Sequence, residues 1–206
     1  MAQSHVRTFV LDSLSELELI HVEAKQVTYQ GHQAVRLIEQ GEPDCAIAIL
    51  SASDFKDGVI ETEIAGNPRR DAARDMRGFV GIAFHVQPQG SRFECFFLRP
   101  TNGRADDQLR RNHSTQYISY PDYPWYRLRE ESPAVYESYT DLVPGAWTPV
   151  KIVASGTRAE LYVNRAAQPC LIVNDLKLGA TRGQIALWIE AGTEAYFSTL
   201  VVKYDR

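Results

Sequence analysis

Short runs of apolar residues alternate with polar residues along most of the chain, and the two most apolar runs are neighbours. The runs GFVGIAFHV and RFECFFLRP are separated by the turn PQGS. Two such runs around a Pro/Gly turn predict a β-hairpin. If the turn is centred on Gln89, Phe84 lies opposite Glu94. His85 then lies opposite Phe93.

This hairpin has two chemically different faces, because successive side chains of a strand point to opposite sides of the sheet. The first face is apolar and is predicted to join the core. The second mixes small residues with polar and aromatic ones, which is typical of a shallow binding groove. The first face carries Val80, Ile82, Phe84, Phe96 and Leu98, with Glu94 near the turn, and the second carries Gly81, Ala83, His85, Cys95, Phe97 and Arg99.

The pattern in the rest of the chain also indicates short strands separated by turn residues. This pattern predicts an all-β fold, a two-sheet antiparallel β-sandwich, formed by residues 1–206 as a single domain. Helical turns are expected only within Asp12–Leu19 and Asn67–Arg77. The remaining predicted strands are Val6–Leu11, His21–Tyr29, Gln33–Ile38, Asp44–Leu50, Val59–Ile64, Val135–Leu142, Trp147–Ala154, Arg158–Val163, Gln168–Val173, Gly183–Glu190 and Ala195–Tyr204.

Composition and charge narrow the range of partners. The formal net charge of −4 argues against a nucleic-acid partner, which needs a basic surface. The apolar runs are too short to span a bilayer, so no membrane partner is expected. The N-terminal residues lack the pattern of a signal peptide, which favours a cytoplasmic location. Cys45, Cys95 and Cys170 are odd in number and show no metal-ligand spacing, so we expect thiols and not disulfides.

Several segments in order resemble the concanavalin A-like jelly roll. They are DFKDGVIETEI, RGFVGIAFHV, FFLRPTNGRADDQ, PGAWTPVKIV, AELYVN and GQIALWIEAGTEAYFSTLVV, and they cover roughly residues 50 to 205. More narrowly, they resemble the laminin-G and 3-keto-disaccharide hydrolase-like branch, relatives of a bacterial glycoside-hydrolase-like domain. The resemblance implies a jelly-roll fold whose concave sheet carries a saccharide site.

Retaining glycosidases of this fold carry three alternating carboxylates on one strand. The nearest match here is Glu61-Thr62-Glu63-Ile64-Ala65-Gly66, which lacks the third carboxylate. We interpret these two acids as the solvated face of an edge strand and do not assign that mechanism. Three functions stay open: saccharide binding, glycoside or keto-sugar cleavage as a hydrolase or lyase, and protein interaction of the laminin-G type.

The loop Asn102–Gln116 and the segment Tyr117–Glu131 hold most candidates for a ligand site. Long loops with polar content in a compact domain are often functional. Aromatic side chains stack on sugar rings, and polar side chains bind hydroxyl groups. The alternative is a rigid surface loop held by its own Arg–Asp pairs. The ligand-binding candidates are His85, Arg99, Asp107, Arg110, His113, Gln116, Tyr120 and Trp125.

Catalytic and metal chemistry have weaker signals. The sequence places His113 near Asp107, and a histidine titrates close to neutral pH, so His113 could act as a general base. No cofactor and no resident metal are expected. Four aspartates could supply oxygen ligands for Ca²⁺, but without the spacing of a calcium loop they read as turn-forming residues. These are Asp54, Asp57, Asp106 and Asp107.

Overall fold

Two antiparallel sheets form the framework of the protein. The computed structural model describes residues 5–41, 45–73 and 76–205. In chain order the elements are β1 His5–Phe9, β2 Leu17–Ile20, β3 Val22–Tyr29, β4 His32–Glu39, β5 Ala46–Leu50, β6 Gly58–Pro68, β7 Val80–Val86, β8 Phe93–Leu98, α1 Gln108–Asn112, β9 Thr115–Tyr120, α2 Trp125–Glu131, β10 Glu137–Ser138, β11 Thr148–Ser155, β12 Arg158–Val163, β13 Leu171–Val173, β14 Gln184–Ile189, β15 Thr193–Phe197 and β16 Leu200–Tyr204, with 3-10 turns at Pro88–Gly90 and Pro100–Asn102.

The strands divide into a nine-stranded and a seven-stranded sheet. The nine-stranded sheet runs β13-β12-β11-β6-β15-β4-β3, with β16 also beside β6 and β1 beside β16. The seven-stranded sheet runs β10-β9-β8-β7-β14-β5-β2. The predicted two-sheet antiparallel sandwich is confirmed.

A large apolar core fills the space between the sheets. Ile60, Ile152 and Val202 come from the nine-stranded sheet, and Phe84 and Phe96 come from the seven-stranded sheet; all are almost fully buried. Burial of such side chains stabilises the fold by about 1.5–3 kcal/mol each. The face of the hairpin that alternation assigned to the core is therefore the inner face of the seven-stranded sheet.

The hairpin register is partly as predicted. Phe84 pairs with Glu94, as expected. The expected pairing of His85 with Phe93 is wrong, because His85 has a positive φ of 54° and belongs to a β-bulge against β14. A bulge adds one residue to a strand and re-aims the side chains beyond it. As a result Val86, and not His85, joins the outer face.

His85 is consequently a buried structural residue. Its ring stacks on Phe55, a residue of the inter-sheet core, and Nε2 lies 2.8 Å from the carbonyl oxygen of Lys56. Burial lowers the pKa of His85. The structure therefore removes His85 from the groove face where the sequence had placed it.

Other expectations are corrected in detail. In its described residues, neither segment expected to hold a helical turn is helical. Asp12–Leu19 runs into β2, and Asn67–Arg77 begins as the end of β6 and continues into a turn at residues 70–72. The two helices lie instead in the segments interpreted as loops. Only Glu137–Ser138 of Val135–Leu142 is a strand. The single strand expected over Ala195–Tyr204 is two strands, β15 and β16. Residues 44, 74 and 75 of these segments lie outside the described ranges.

The three cysteines all lie in the described part of the chain, and no disulfide joins them. Cys45 and Cys95 are buried, and Cys170 is partly buried. In the described ranges, no helix combines the length and the apolar character needed to cross a membrane.

Candidate functional site

The outer face of the seven-stranded sheet carries a second apolar cluster. Its members all come from that sheet or its flanks, and most are fully buried, so this face is not the open groove that the sequence suggested. Partly buried Ile20, Phe79, Tyr120 and Trp125 pack against it. The cluster consists of Cys45, Ile47, Ile49, Ala83, Val86, Phe93, Cys95, Phe97, Ile118, Ala186 and Trp188.

Two local structures cover this face. The turn Pro88–Gly90 lies so close that a Cβ on Gly90 would be 2.7 Å from Cδ1 of Ile47. The chain then turns after β9 through a cis peptide bond before Pro121 and continues into α2. The side-chain amide of Gln116 in β9 donates to the carbonyl oxygen of Trp125, at 3.2 Å, and so ties the start of α2 to the sheet.

One cavity lies between α1, α2 and the edge of the sheet, and we call it the arginine cavity. Its volume is about 910 Å³. The lining residues that carry charge or an aromatic ring are Arg77, Arg99, Arg110, His113, Trp125, Arg129, Glu137 and Tyr139.

Arg99 is the deepest cation of the arginine cavity. It is only 3% exposed and lies over the rings of Phe79, Phe97 and Trp125, with its guanidinium carbon 4.7, 5.0 and 5.5 Å from the ring centroids. It donates to the carbonyl oxygen of His113, at 3.0 Å, and to Oε1 of Gln116. Burial, together with repulsion from Arg129, lowers the pKa of Arg99 to about 9.

His113, Glu137 and Arg129 form a second polar group in the same cavity. Nδ1 of His113 lies 2.7 Å from Oε2 of Glu137. Arg129 donates from Nε and Nη2 to both oxygens of Glu137, at 2.7 to 3.1 Å. Burial lowers the pKa of His113, although the carboxylate of Glu137 opposes the shift. The imidazole is therefore neutral near pH 7 and able to accept a proton.

A second cavity of about 410 Å³ lies on the other side of Trp125, and we call it the aromatic cavity. Tyr120, Tyr126 and Trp188 line it together with Trp125. Tyr120 is stacked on Phe93, with centroids 4.9 Å apart. Its acidic member is Glu190, whose pKa is raised by burial and pulled back by the positive charge of Arg99. Trp125 thus separates an aromatic cavity from a cationic one.

The structure brings half of the sequence-predicted candidates together. Arg99, Arg110, His113 and Trp125 line the arginine cavity. Gln116 is fully buried behind it, and both ends of its amide are bonded within the protein, so it positions Arg99 and α2. Tyr120 lines the aromatic cavity instead.

Asp107 is not the partner of His113 that the sequence suggested. It is the N-cap of α1, where its Oδ1 accepts a hydrogen bond from the backbone N–H of Arg110 at 3.2 Å. Asp is among the preferred N-cap residues because its short side chain reaches the unpaired amides of the first turn. Glu137 occupies the place beside His113.

Glu61 and Glu63 lie on the outer face of the opposite sheet. Their strand, β6, pairs with β11 on one side and with β15 and β16 on the other, so the expectation of an edge strand is wrong. Glu61 pairs with Lys203 at 2.6 Å, and Glu63 pairs with Arg165 at 2.8 Å. They line a cavity of about 730 Å³ on that face.

Several residues of the site had no sequence signal of their own. Glu137 reaches the site because β10 pairs with β9, opposite Gln116. Arg129 follows Trp125 by one helical turn on α2, an i, i+4 spacing that becomes visible once the helix is known. Trp188 and Glu190 lie on β14 and at its end, far from the hairpin in sequence.

Metal chemistry gains no direct support. Across the described ranges, no three His, Cys, Asp or Glu side chains gather where they could hold a metal ion. Of the four aspartates considered for Ca²⁺, Asp57 accepts a hydrogen bond from the amide of Gly156 at 2.7 Å, and Asp54 pairs with Arg182 at 2.9 Å. Both contacts are typical of aspartates at turns.

Comparison with known proteins gives structural relatives only. No protein-family model and no curated protein sequence matches the chain. Among solved structures, the carbohydrate-binding module CBM66 from Bacillus subtilis is similar, with 12% identity, a TM-score of 0.61, and 89% of this chain and 92% of that chain covered. A protein of unknown function with a galectin-like fold from Bacillus subtilis has 12% identity and a TM-score of 0.62, with 97% and 96% covered.

An enzyme is also among the similar structures. The Crh5 transglycosylase in complex with NAG has 10% identity and a TM-score of 0.58, with 98% of this chain and 84% of that chain covered. At these identities the likeness establishes the fold and no activity. The narrower relation to laminin-G and 3-keto-disaccharide hydrolase-like proteins stays a prediction. The chain has the concanavalin A-like jelly-roll fold that its sequence predicted.

Proposed function

We propose that the protein binds a saccharide in the arginine and aromatic cavities on the outer side of the seven-stranded sheet, with Trp125 as the central stacking surface. The observation that carries this proposal is the position of Trp125, whose side chain lines both the aromatic and the arginine cavity. Sugar rings have C–H faces that pack on aromatic rings and hydroxyl groups that need hydrogen-bond partners. The two cavities offer these two kinds of contact side by side.

The surroundings hold Trp125 in place. Its carbonyl oxygen is bonded to Gln116, and the guanidinium carbons of Arg99 and Arg129 lie 5.5 and 4.9 Å from its ring centroid. A ring that is fixed before binding loses little conformational freedom when a ligand stacks on it. The names of two structural neighbours agree with this class of ligand, since one is a carbohydrate-binding module and the other a transglycosylase.

Replacement of Trp125 tests the proposal. A panel of neutral and acidic oligosaccharides is first screened by thermal shift, and binding is then measured by titration calorimetry. We expect Trp125→Ala to weaken binding by about 1–3 kcal/mol, the scale of a lost hot-spot side chain. Trp147→Phe is the matched control, because Trp147 stacks on His32 at the nine-stranded sheet.

Two results would contradict saccharide binding at this face. One is the absence of any thermal shift across the whole panel. The other is an equal loss of affinity in Trp125→Ala and Trp147→Phe, which would place the ligand elsewhere. Circular dichroism of both variants, compared with wild type, ensures that lost binding is not lost folding.

A second candidate function is cleavage of a glycoside at the same site, and the pair His113–Glu137 favours it. A neutral imidazole oriented by a carboxylate is a common arrangement for a general base. Glu137 is itself held by Arg129 and by its burial, with its side chain 4% exposed. Its role would be to orient His113, while His113 would take the proton from an attacking water molecule and pass it to the departing glycosidic oxygen.

The test of cleavage is the release of new reducing ends from any oligosaccharide that binds. His113→Gln should abolish release while it leaves affinity within about threefold of wild type, the range expected when a proton-transfer group and not a binding group is removed. Binding without release in the wild-type protein would limit the function to recognition.

A further inference from the structure

The arginine cavity is strongly cationic in a protein that is acidic as a whole. Four arginines line it, Arg77, Arg99, Arg110 and Arg129, and Glu137 is the one acid among its described lining residues. The chain as a whole has a formal net charge of −4. A concentration of one sign of charge in a cleft attracts ligands of the opposite sign.

Two of these arginines bind only neutral oxygens among the described residues. Arg99 donates to the carbonyl oxygen of His113 and to the side-chain oxygen of Gln116. Arg110 donates to the carbonyl oxygen of Thr101 and to Oδ1 of Asn102, at 3.3 to 3.4 Å. Glu137 does not neutralise the charge of either arginine through a hydrogen bond, because its carboxylate oxygens accept from Arg129.

Burial makes this arrangement costly in the absence of a ligand. Arg99 is almost completely buried, with only 3% of its surface exposed to solvent. Glu137 and Glu190 act on Arg99 only at a distance, and neutral acceptors replace only in part the hydration that a buried cation loses. A bound anion would supply the missing opposite charge, and it would do so in a dry aromatic surrounding where charge-assisted hydrogen bonds are strong.

We propose that the arginine cavity recognises the carboxylate of an acidic saccharide, a chain that contains uronic acid units. This inference rests on the proposed saccharide site and names the class of its ligand. A planar carboxylate fits the two parallel N–H groups of a guanidinium, which gives geometric preference as well as charge. The guanidinium groups of Arg99 and Arg129 both lie over the indole of Trp125, so the carboxylate of a sugar bound at that indole would come within their reach.

Matched pairs of oligosaccharides test the inference directly. Each acidic tetrasaccharide, from polygalacturonate, polymannuronate and hyaluronan, is compared with its carboxyl-reduced form, which keeps the linkage and replaces each carboxylate by a hydroxymethyl group. We expect at least one acidic form to bind about tenfold or more tightly than its reduced partner, since one charge-assisted hydrogen bond accounts for such a factor. The preference should shrink between about 20 mM and about 200 mM NaCl, because salt screens the attraction.

Arginine variants locate the effect. Arg110→Gln and Arg77→Gln should each reduce the preference for the acidic form by about threefold to tenfold, while affinity for the reduced form stays unchanged. Arg127→Gln is the control on α2, because Arg127 pairs with Glu131 and is absent from the arginine cavity. Thermal melts of all three variants confirm that they are folded.

The outcomes separate this inference from the proposed function. Equal affinity for acidic and reduced forms overturns the inference and leaves saccharide binding intact. Binding of no tetrasaccharide overturns both. A preference that Arg127→Gln reduces as much as Arg110→Gln does also overturns the inference, since it reflects general charge. A carboxyl-reduced sulfated chondroitin tetrasaccharide that binds more tightly than every uronate overturns the assignment to a carboxylate.

Discussion

Glu94 is a fully buried carboxylate that joins the seven-stranded sheet to the segment before β14. Its Oε2 accepts a hydrogen bond from the hydroxyl of Tyr117 at 2.6 Å, and its Oε1 accepts one from the amide of Leu178 at 2.7 Å. The hydroxyl of Tyr117 in turn accepts from the amide of Lys177 at 2.9 Å, so its own proton is directed to Glu94. Both carboxylate oxygens therefore face donors.

The change Glu94→Gln keeps the shape and converts one acceptor into a donor. The new NH₂ group faces either the Tyr117 hydroxyl or the Leu178 amide. One hydrogen bond to a charged group is then lost and one buried donor is left unsatisfied, which together lower the stability by about 2–5 kcal/mol. Removal of a buried charge returns part of this, because burial raises the pKa of Glu94 and so opposes its ionisation. We expect a net loss of about 2–4 kcal/mol.

Urea unfolding followed by tryptophan fluorescence measures this loss, with Tyr117→Phe and the double variant completing a cycle. For a chain of this length, the expected loss corresponds to a melting temperature lower by roughly 5–15 °C. The double variant should be less destabilised than the sum of the singles by about 1 kcal/mol or more, because the two groups share one hydrogen bond. A loss below about 0.5 kcal/mol for Glu94→Gln would refute this account of the network.

Two further predictions concern stability. The pKa values of His85 and His113 are lowered by burial. Below about pH 6.5 the unfolded chain therefore binds protons that the folded protein does not. The stability should fall as the pH drops toward about 5. Urea midpoints in His113→Gln should show a shallower fall than wild type, and a flat wild-type profile would contradict the expected sign. Gly81→Ala should destabilise the protein by about 1–3 kcal/mol, because a Cβ there would lie 2.4 Å from the carbonyl oxygen of Phe96; an unchanged melting temperature would show that the hairpin can adjust.

The parts of the fold that follow from local alternation were predictable. The apolar face of the hairpin is the inner face of its sheet, and Phe84 does pair with Glu94. A period of two in the side chains fixes which residues share a face, and the turn fixes the register. Four of the eight candidate ligand residues meet in one cavity because the long segment after β8 returns beside its end.

The parts that depend on backbone irregularities and distant pairings were not predictable. The residue types around His85 do not predict a positive φ at this position. The bulge that this φ forms nevertheless removes His85 from the outer face. Glu137 is an isolated acid in sequence, and only the two-residue pairing of β10 with β9 brings it to His113. Asp107 is closer to His113 along the chain than Glu137 is, but its carboxylate caps the start of the helix at Gln108.

The outer face of the seven-stranded sheet raises an energetic question that packing alone does not answer. Most of that face is filled by apolar side chains, which stabilise the fold, and Arg99 lies among their aromatic rings. A buried cation loses hydration that neutral hydrogen-bond acceptors restore only in part. A guanidinium at this position is therefore not explained by stability. The rings of Phe97 and Trp125 also fix the orientation of the Arg99 guanidinium, which is the preorganisation that the proposed carboxylate site requires.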